Sequence, residues 1–475
     1  MKKVLLITYD FPPARTSGIY RPTKFVKHLA KFGWEPIVLT ARNPYVAAYD
    51  TTLMKDIPPG TRVHRVFSPD LARISDALHR LLFGSSGSET VRETRTGNTS
   101  GKGIQDETTP KKSWLKRRVV SPLNRLFVTW GYLPDAKILW FPFALFKALV
   151  LVFREKPQVL YSTSYPPTAQ LVGLIVKLIT RKPWVADFRD NWIVGYPECC
   201  PSASRRRLDE WVLKRFLTHA DRVITMCRGN ASDLLRKYPD IEAGKFIAIT
   251  NGYDANDFLD APAACERPNE GRMVLLHVGT LYAGFAGLFF QALAELFAEQ
   301  PYLREHVEIR FIGYLFGEYL GLIPALGLSD TVQLEGFRAH PEALQAMQKA
   351  DVLLMFLGGR KTMNQQFPGK VFEYMFARKV ILTIGQPGEI ADTVTKSRCG
   401  ILALHNDIPA IKQALMELYL RKKAGTLAVD PDMEFIRSFE YANITARFAA
   451  VLEEAAPPPP HMLGSPRAHD ATRRP

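Results

Sequence analysis

The sequence predicts an α/β chain built from two doubly wound parallel sheets laid end to end. Three observations predict it. Short apolar runs of strand length alternate with segments of helical period. The runs are apolar throughout rather than at every second residue, as in strands covered on both faces. The alternation comes in two blocks, one ending near Thr225 and one starting near Met273, in a chain of 475 residues, a length at which a single core gives way to two.

The first block opens with Lys3-Val4-Leu5-Leu6-Ile7-Thr8, a strand that runs into a loop, Tyr9 to Gly18, containing Pro12 and Pro13. Arg21 to Lys31 spaces Phe25, Val26, Leu29 and Ala30 as on a helix, Gly33 closes it, and Pro36-Ile37-Val38-Leu39-Thr40 is the next strand, so the first forty residues form a βαβ unit. Further strands are expected at Val159–Ser162, Trp184–Asp187 and Arg222–Thr225, with helices over Ala169–Ile179 and Leu208–Leu217. The second block supplies strands at Met273–Val278, Val307–Ile312, Val332–Leu334, Val352–Phe356 and Val380–Ile384. A hinge is expected over Thr250–Arg272, where Asn251-Gly252 signals a turn and Pro262 and Pro268 flank a poorly apolar stretch. The expected domains are therefore 1–249 and 250–432. A helix follows over Met433 to Glu454, and the proline-rich tail 455–475 is expected to be disordered.

Between the second and third strands the pattern breaks. Gly84 to Lys112 is rich in Ser, Thr, Gly and charge, and is expected to be a mobile insertion. The segment 111–132 then mixes the cations of Lys111 to Arg118 with Trp114, Phe127, Trp130 and Tyr132. Two readings stand: a contact with an anionic bilayer, or aromatics packed on the domain with the cations in water.

The net charge of +15 favours polyanions, phosphorylated small molecules or an anionic membrane surface as partners, and equally serves plain solubility. The cations are scattered and no recognition module accompanies them, so no nucleic acid partner is expected. Five cysteines in no metal or CxxC spacing suit a reducing, cytoplasmic compartment. Met1 to Thr8 is too short for a signal peptide. The longest apolar run, Phe141 to Phe153, is broken by Pro142 and Lys147 and falls short of a membrane span.

In open parallel sheets the ligand lies beyond the carboxyl ends of the strands, where loops feed helices. Gly18, ahead of the first helix, either lets a phosphate or sugar approach backbone N–H groups or is a plain turn glycine. G-x-G-x-x-G after the first strand and G-x-x-x-x-G-K-[ST] are both absent, which removes support from dehydrogenase and P-loop readings. The most informative stretch is Phe367-Pro368-Gly369-Lys370-Val371-Phe372-Glu373-Tyr374-Met375. Pro368-Gly369 turns into a helix whose first turn holds Lys370, with Glu373 one turn on. Such a start offers N–H groups and a cation to a diphosphate, and a carboxylate to ribose hydroxyls; the alternative is a surface Lys–Glu pair at i,i+3. Asp187 and Asp190, after an inner strand, either position an acceptor, with Arg189 on phosphate, or belong to a structural turn network.

Taken together and in order, these motifs resemble the family 4 glycosyltransferases, a retaining group with two facing Rossmann-like domains, the GT-B fold. The likeness covers residues 1–80 and 130–455. It rests on Phe11-Pro12-Pro13 to Gly18, Asp187-Phe188-Arg189-Asp190, Ala220 to Thr225, Asn251-Gly252-Tyr253-Asp254, Gly279-Thr280-Leu281-Tyr282, Ala350 to Leu354 and Pro368 to Tyr374. The resemblance implies a nucleotide-diphosphate sugar donor held in the C-terminal half and a saccharide or lipid-linked acceptor in the N-terminal half. It implies retention, no cofactor and no metal. Lys370, Glu373 and Asp190 are the expected catalytic residues. Gly18, Gly279, Thr280, Gly369, Lys370, Glu373, Gly388 and Glu389 are expected to line the donor site, Glu373 at the ribose and Lys370 at the diphosphate. Three positions depart from the family pattern: Gln365 stands where a first acid is usual, and Thr280 and Ala286 fall where an Arg and a Lys are usual, with Arg360 and Lys361 as candidate substitutes. A 2-epimerase of the same fold, active on donor alone, and a sugar-nucleotide-binding protein without transfer activity are the competing readings.

Overall fold

The structure is a computed structural model and describes residues 1–44, 46, 49–71, 73, 132–190, 192, 202–259, 271–358 and 367–456. The insertion 84–112, all but Tyr132 of segment 111–132, the tail beyond 456, and Arg360, Lys361 and Gln365 lie outside the described residues.

Both sheets are parallel throughout. The first holds β1 (Lys2–Ile7), β2 (Trp34–Ala41), β3 (Arg62–Val66), β4 (Val159–Ser164), β5 (Trp184–Phe188), β6 (Arg222–Thr225) and β7 (Phe246–Ala248) in the order 3-2-1-4-5-6-7. The second holds β8 (Met273–Val278), β9 (Val307–Ile312), β10 (Val332–Gly336), β11 (Val352–Phe356), β12 (Val380–Gly385) and β13 (Gly400–Leu404) in the order 10-9-8-11-12-13. Each order reverses direction beside its first strand, which opens a crevice at the carboxyl ends of β1 and β4 and of β8 and β11. This is the two-sheet Rossmann-like architecture the apolar runs predict. All ten expected strands are present. The three that the runs do not announce, β3, β7 and β13, are an edge strand of alternating polarity, a three-residue edge strand and an edge strand that is mostly half-buried. Edge strands bury less and so carry a weaker apolar signature.

The helix after β1, α1 (Tyr20–Leu29), passes through a short 3-10 turn to Gly33, whose φ of 80° lets the chain reverse into β2. Helices α2 (Phe141–Glu155) and α3 (Thr168–Thr180) cover the other face of the sheet through Ala144, Ala148, Leu151 and Val152 and through Ala169, Val172 and Val176.

Met433 to Glu454 is not one helix. A turn at Ser438–Glu440 separates Met433–Arg437 from the final helix Tyr441–Ala455. The turn is fixed by the crossover segment: Tyr253 N–H donates to Phe439 O (3.1 Å) and Tyr441 N–H to Tyr253 O (2.9 Å). Gly252 makes this approach possible, because a Cβ there would stand 2.2 Å from Phe439 O. The final helix then returns to the first sheet, stacking Phe448 on Phe25 with ring centroids 4.4 Å apart and against Tyr161 at 4.7 Å.

Buried ion pairs tie the crossover to α1. Arg21, 1% exposed, pairs with Asp187 (2.8 Å) and donates to the carbonyls of Ile249 (3.0 Å) and Thr250 (2.6 Å). The Lys24 ammonium is ringed by Asp56 (2.6 Å), Asp254 (2.8 Å) and Asp257 (2.8 Å). These three carboxylates converge closely enough to suggest a cation, and the cation they surround is a lysine.

Candidate functional site

The carboxyl end of β8 turns sharply. Gly279 has φ +108°, its N–H donates to Ile312 O (2.7 Å), and Gly313, at φ +125°, packs so tightly on it that a Cβ there would lie 2.4 Å from Gly279 O. These glycines let the ends of β8 and β9 close together and leave no side chain between the turn and the helix α5 (Lys370–Phe376). Lys370 enters that space: Nζ donates to Val278 O (2.9 Å), lies 3.2 Å from His277 Nε2, and would be 3.4 Å from a Cβ at Gly279. Burial draws the Lys370 ammonium down to about 7, and the Glu373 carboxylate only partly offsets it. Near neutral pH the full cation read from the sequence is therefore poised at the edge of charge loss.

Lys370 and Glu373 do not pair with each other, which removes the surface i,i+3 pair as an explanation of the motif. Glu373 Oε1 instead meets His340 Nε2 (2.8 Å) at the start of helix α4 (His340–Lys349), which lies between β10 and β11. Burial works against a proton on His340, but the charge and hydrogen bond of Glu373 outweigh it and the pKa is raised. The imidazole is within ring contact of Tyr20 at the start of α1, centroids 5.3 Å apart, and Arg15 of the opening loop sits over the Phe337 ring. The opening loop and the start of α1 thus meet the segment after β10 and the start of α4, whose His340 holds Glu373.

The N–H groups expected at the start of α5 are only partly open. Val371 N–H bonds Pro368 O and Phe372 N–H bonds Gly369 O, both at 3.1 Å, while those of Gly369 and Lys370 form no hydrogen bond among the described residues. Gly369 faces open space, with nothing within 4 Å of where a Cβ would be. Thr280 follows Gly279 in the same turn, half-buried. Ala286 lies in the hydrophobic core at 1% exposure, so a lysine has no room there.

The remaining expected residues sit elsewhere along the crevice. Gly18 is closed upon by Arg189: its carbonyl accepts from the guanidinium, and a Cβ would meet Nη1 and Nη2 at 2.9 Å. Arg189 also donates to the carbonyls of Ser164 (2.9 Å) and Tyr165 (3.0 Å). Three of its five N–H groups go to backbone carbonyls, as in a structural turn network. Asp187, fully buried, is committed to Arg21, Tyr161 and Thr163. Asp190 is different: its half-buried carboxyl has no hydrogen-bond partner among the described residues, and burial raises its pKa, with Arg189 opposing. Gly388 is extended and precedes helix α6 (Glu389–Lys396). The Glu389 carboxylate reaches across to the first half and accepts from the N–H groups of Arg228 (3.2 Å) and Gly229 at a helix start, so it bridges the halves here.

The sequence reading passed over His277, His340 and Tyr20. A histidine one residue from the end of a buried strand and one opening the helix after β10 both fall on the ligand edge of the sheet, and that position is the available signal.

The segment 104–252 matches the family model of a Glycosyl transferase 4-like domain, and 272–421 matches that of Glycosyl transferases group 1. The chain carries two glycosyltransferase domains. Among solved structures, sucrose-phosphate synthase from Thermosynechococcus elongatus superposes with a TM-score of 0.60 at 15% identity, over 96% of this chain and 99% of that one. HepE of Anabaena in complex with UDP-glucose gives 0.58 at 15%, over 96% and 100%. A glycosyltransferase from Rickettsia africae gives 0.56 at 12%, over 96% and 98%. At such identities the likeness speaks for the fold, which is GT-B. No curated protein matches the chain.

Proposed function

We propose that this glycosyltransferase-type chain is a family 4, retaining, metal-independent hexosyltransferase. Its donor is a nucleotide-diphosphate sugar and its acceptor a lipid-linked or cell-envelope saccharide. The observation that carries the reading is the convergence of Lys370, Glu373, Gly279 and the open Gly369 at the carboxyl end of β8, with Glu373 held by His340 where that residue meets Tyr20 of the first half. Cleaving the glycosyl–phosphate bond leaves positive charge on the sugar and negative charge on the departing diphosphate. Lys370 is the cation available to that diphosphate, and an approaching anion restores its proton. Glu373, oriented by His340, receives the ribose hydroxyls. Asp190 follows β5 at the carboxyl edge of the first sheet, and its carboxyl, without a hydrogen-bond partner among the described residues, accepts a hydrogen bond from the acceptor hydroxyl. That hydroxyl attacks the anomeric carbon, and its proton leaves toward the diphosphate oxygen. HepE, on the same fold, holds UDP-glucose, so uridine is the base to test first.

The test is Glu373→Ala: UDP-sugar affinity measured by calorimetry is expected to fall about tenfold or more, with the melting temperature within a few degrees of the parent. Unchanged affinity would remove the donor-site assignment.

The membrane part of the reading is supported by helix α2. No helix among the described residues is long and apolar enough to cross a membrane. Yet α2 exposes Phe146 (72%) and Phe153 (68%) along one side, with Phe143 in edge-on contact with the exposed Phe67. Lys147 and Arg154 lie on the same helix. Aromatics flanked by cations suit the headgroup region of an anionic bilayer. Sedimentation with phosphatidylglycerol vesicles is expected to drop several-fold in Phe146→Ser/Phe153→Ser, and equal binding by the variant would dismiss this face.

A further inference from the structure

His277 belongs to β8, is 1% exposed, and is flanked by the rings of Phe311 and Phe356 at 5.7 and 5.3 Å. Its Nδ1 lies 3.0 Å from Leu354 O on β11. A carbonyl can only accept, so Nδ1 carries the ring proton. Burial, and then the neighbouring Lys370, hold the imidazole neutral by lowering its pKa far below the usual range. Nε2 therefore presents a lone pair, and the Lys370 amine 3.2 Å away donates to it.

The second fixed contact of Lys370, Val278 O at 2.9 Å, is also an acceptor only. The N–H of Val278 is held by the Tyr374 hydroxyl (2.8 Å), and Gly279 N–H, in the same peptide as the Val278 carbonyl, by Ile312 O (2.7 Å). Two N–H bonds of Lys370 are thus spent in either charge state. The third position on the nitrogen is an N–H when Lys370 is charged and a lone pair when it is neutral.

We infer that His277 is a positioning residue which, together with Val278 O, fixes Lys370 so that its third position becomes a donor to the diphosphate only on proton uptake, making donor binding proton-linked. The inference rests on the reading of Lys370 as the diphosphate contact. The titration of Lys370 near neutrality supports it. Among the described residues the titratable groups around Lys370 are His277 on β8, Glu373 and Tyr374 on α5, and, through Glu373, His340 on α4 and Tyr20 on α1. Glu373 favours the Lys370 proton, and a charged His340 weakens that help.

The sign follows. An anion raises the pKa of Lys370 from about 7, so binding above pH 7 takes up a proton and affinity declines by up to about tenfold per pH unit. The sugar-nucleotide diphosphate has no titrating group of its own between pH 6 and 9, so the slope reports the protein.

Two measurements on the full chain test this. First, calorimetry with UDP-glucose at pH 8.5 in two buffers of different ionisation enthalpy is expected to give close to one proton taken up, and close to none at pH 6. Second, competitive acetylation of Lys370, read by mass spectrometry without any ligand, is expected to titrate near pH 7 in the parent. His277→Gln keeps an acceptor and should leave that midpoint in place. His277→Leu removes the acceptor, withdraws support from the charged form, and should move the midpoint down and lower affinity at pH 7.5 by about tenfold, with little change at pH 5.5. An unshifted midpoint in His277→Leu, provided its melting temperature shows a folded chain, overturns the role of His277; no proton uptake by the parent overturns the coupling. If Lys370→Met binds UDP-glucose as well as the parent, the diphosphate reading itself fails, an outcome distinct from both.

Discussion

Lys370→Met is expected to weaken nucleotide-sugar binding about a hundredfold, the worth of a charged hydrogen bond to phosphate in a dry site, and at the same time to raise the melting temperature of the ligand-free protein. The two effects share one cause. Folding takes the Lys370 ammonium from its ordinary 10.5 to about 7. The unfolded chain therefore holds that proton more tightly than the folded one, and the difference costs stability. The cost is absent above pH 10.5, grows as pH falls toward 7 and is constant below. Methionine fills similar volume, has no proton to lose and escapes the penalty. Calorimetry with UDP-glucose and thermal melts at pH 7 and pH 10 check both halves: the variant's thermal advantage should be larger at pH 7. A lysine kept for structure would give the opposite result, with lower stability and unchanged binding.

The second large effect concerns the fold. Arg21→Met leaves Asp187 buried beside Tyr161 and Thr163 with its countercharge gone, and frees the carbonyls of Ile249 and Thr250. Removing one member of a fully buried pair costs about 3–5 kcal/mol, which for a domain of this size lowers the melting temperature by roughly 10 °C. Because an unpaired buried charge is the main cost, Arg21→Met/Asp187→Leu should recover much of the loss. A double variant no better than the single one would show that the bonds to the crossover carbonyls, rather than the ion pair, hold this junction. Either result matters for function, since the same crossover carries Asn251, whose amide donates to Phe367 O just ahead of the Lys370 helix (3.2 Å).

How far each of these features was legible beforehand depends on what kind of signal it leaves. Central strands such as Val4–Ile7 and Val352–Phe356 are buried on both faces, so each is a continuous apolar run that a single sequence displays. The edge strand Arg62–Val66 is only half-buried along its whole length and reads as a mixture. The Pro368-Gly369-Lys370 helix start was visible because proline and glycine constrain the backbone locally. Arg189 and Glu389 show the reverse. A cation after an inner strand and an acid at a helix start both look like ligand groups in the sequence. Whether they meet a phosphate or a backbone carbonyl, a donor or the N–H groups of Arg228 and Gly229, depends on chain segments at least 24 residues away.

By itself the sequence determined the two parallel sheets and the helix start at Lys370. Each of these follows from local backbone preference or from burial on both faces, and both act over a few residues. Only the tertiary structure decided that Lys370 meets His277 and Val278 rather than Glu373, that Glu373 takes His340, and that the final helix returns to the first sheet. Those outcomes turn on desolvation and on donor–acceptor pairing between strands and helices that are tens to hundreds of residues apart in the chain. Charge state at the site is likewise a property of the assembled interior, because the same lysine would be an ordinary cation on an exposed helix.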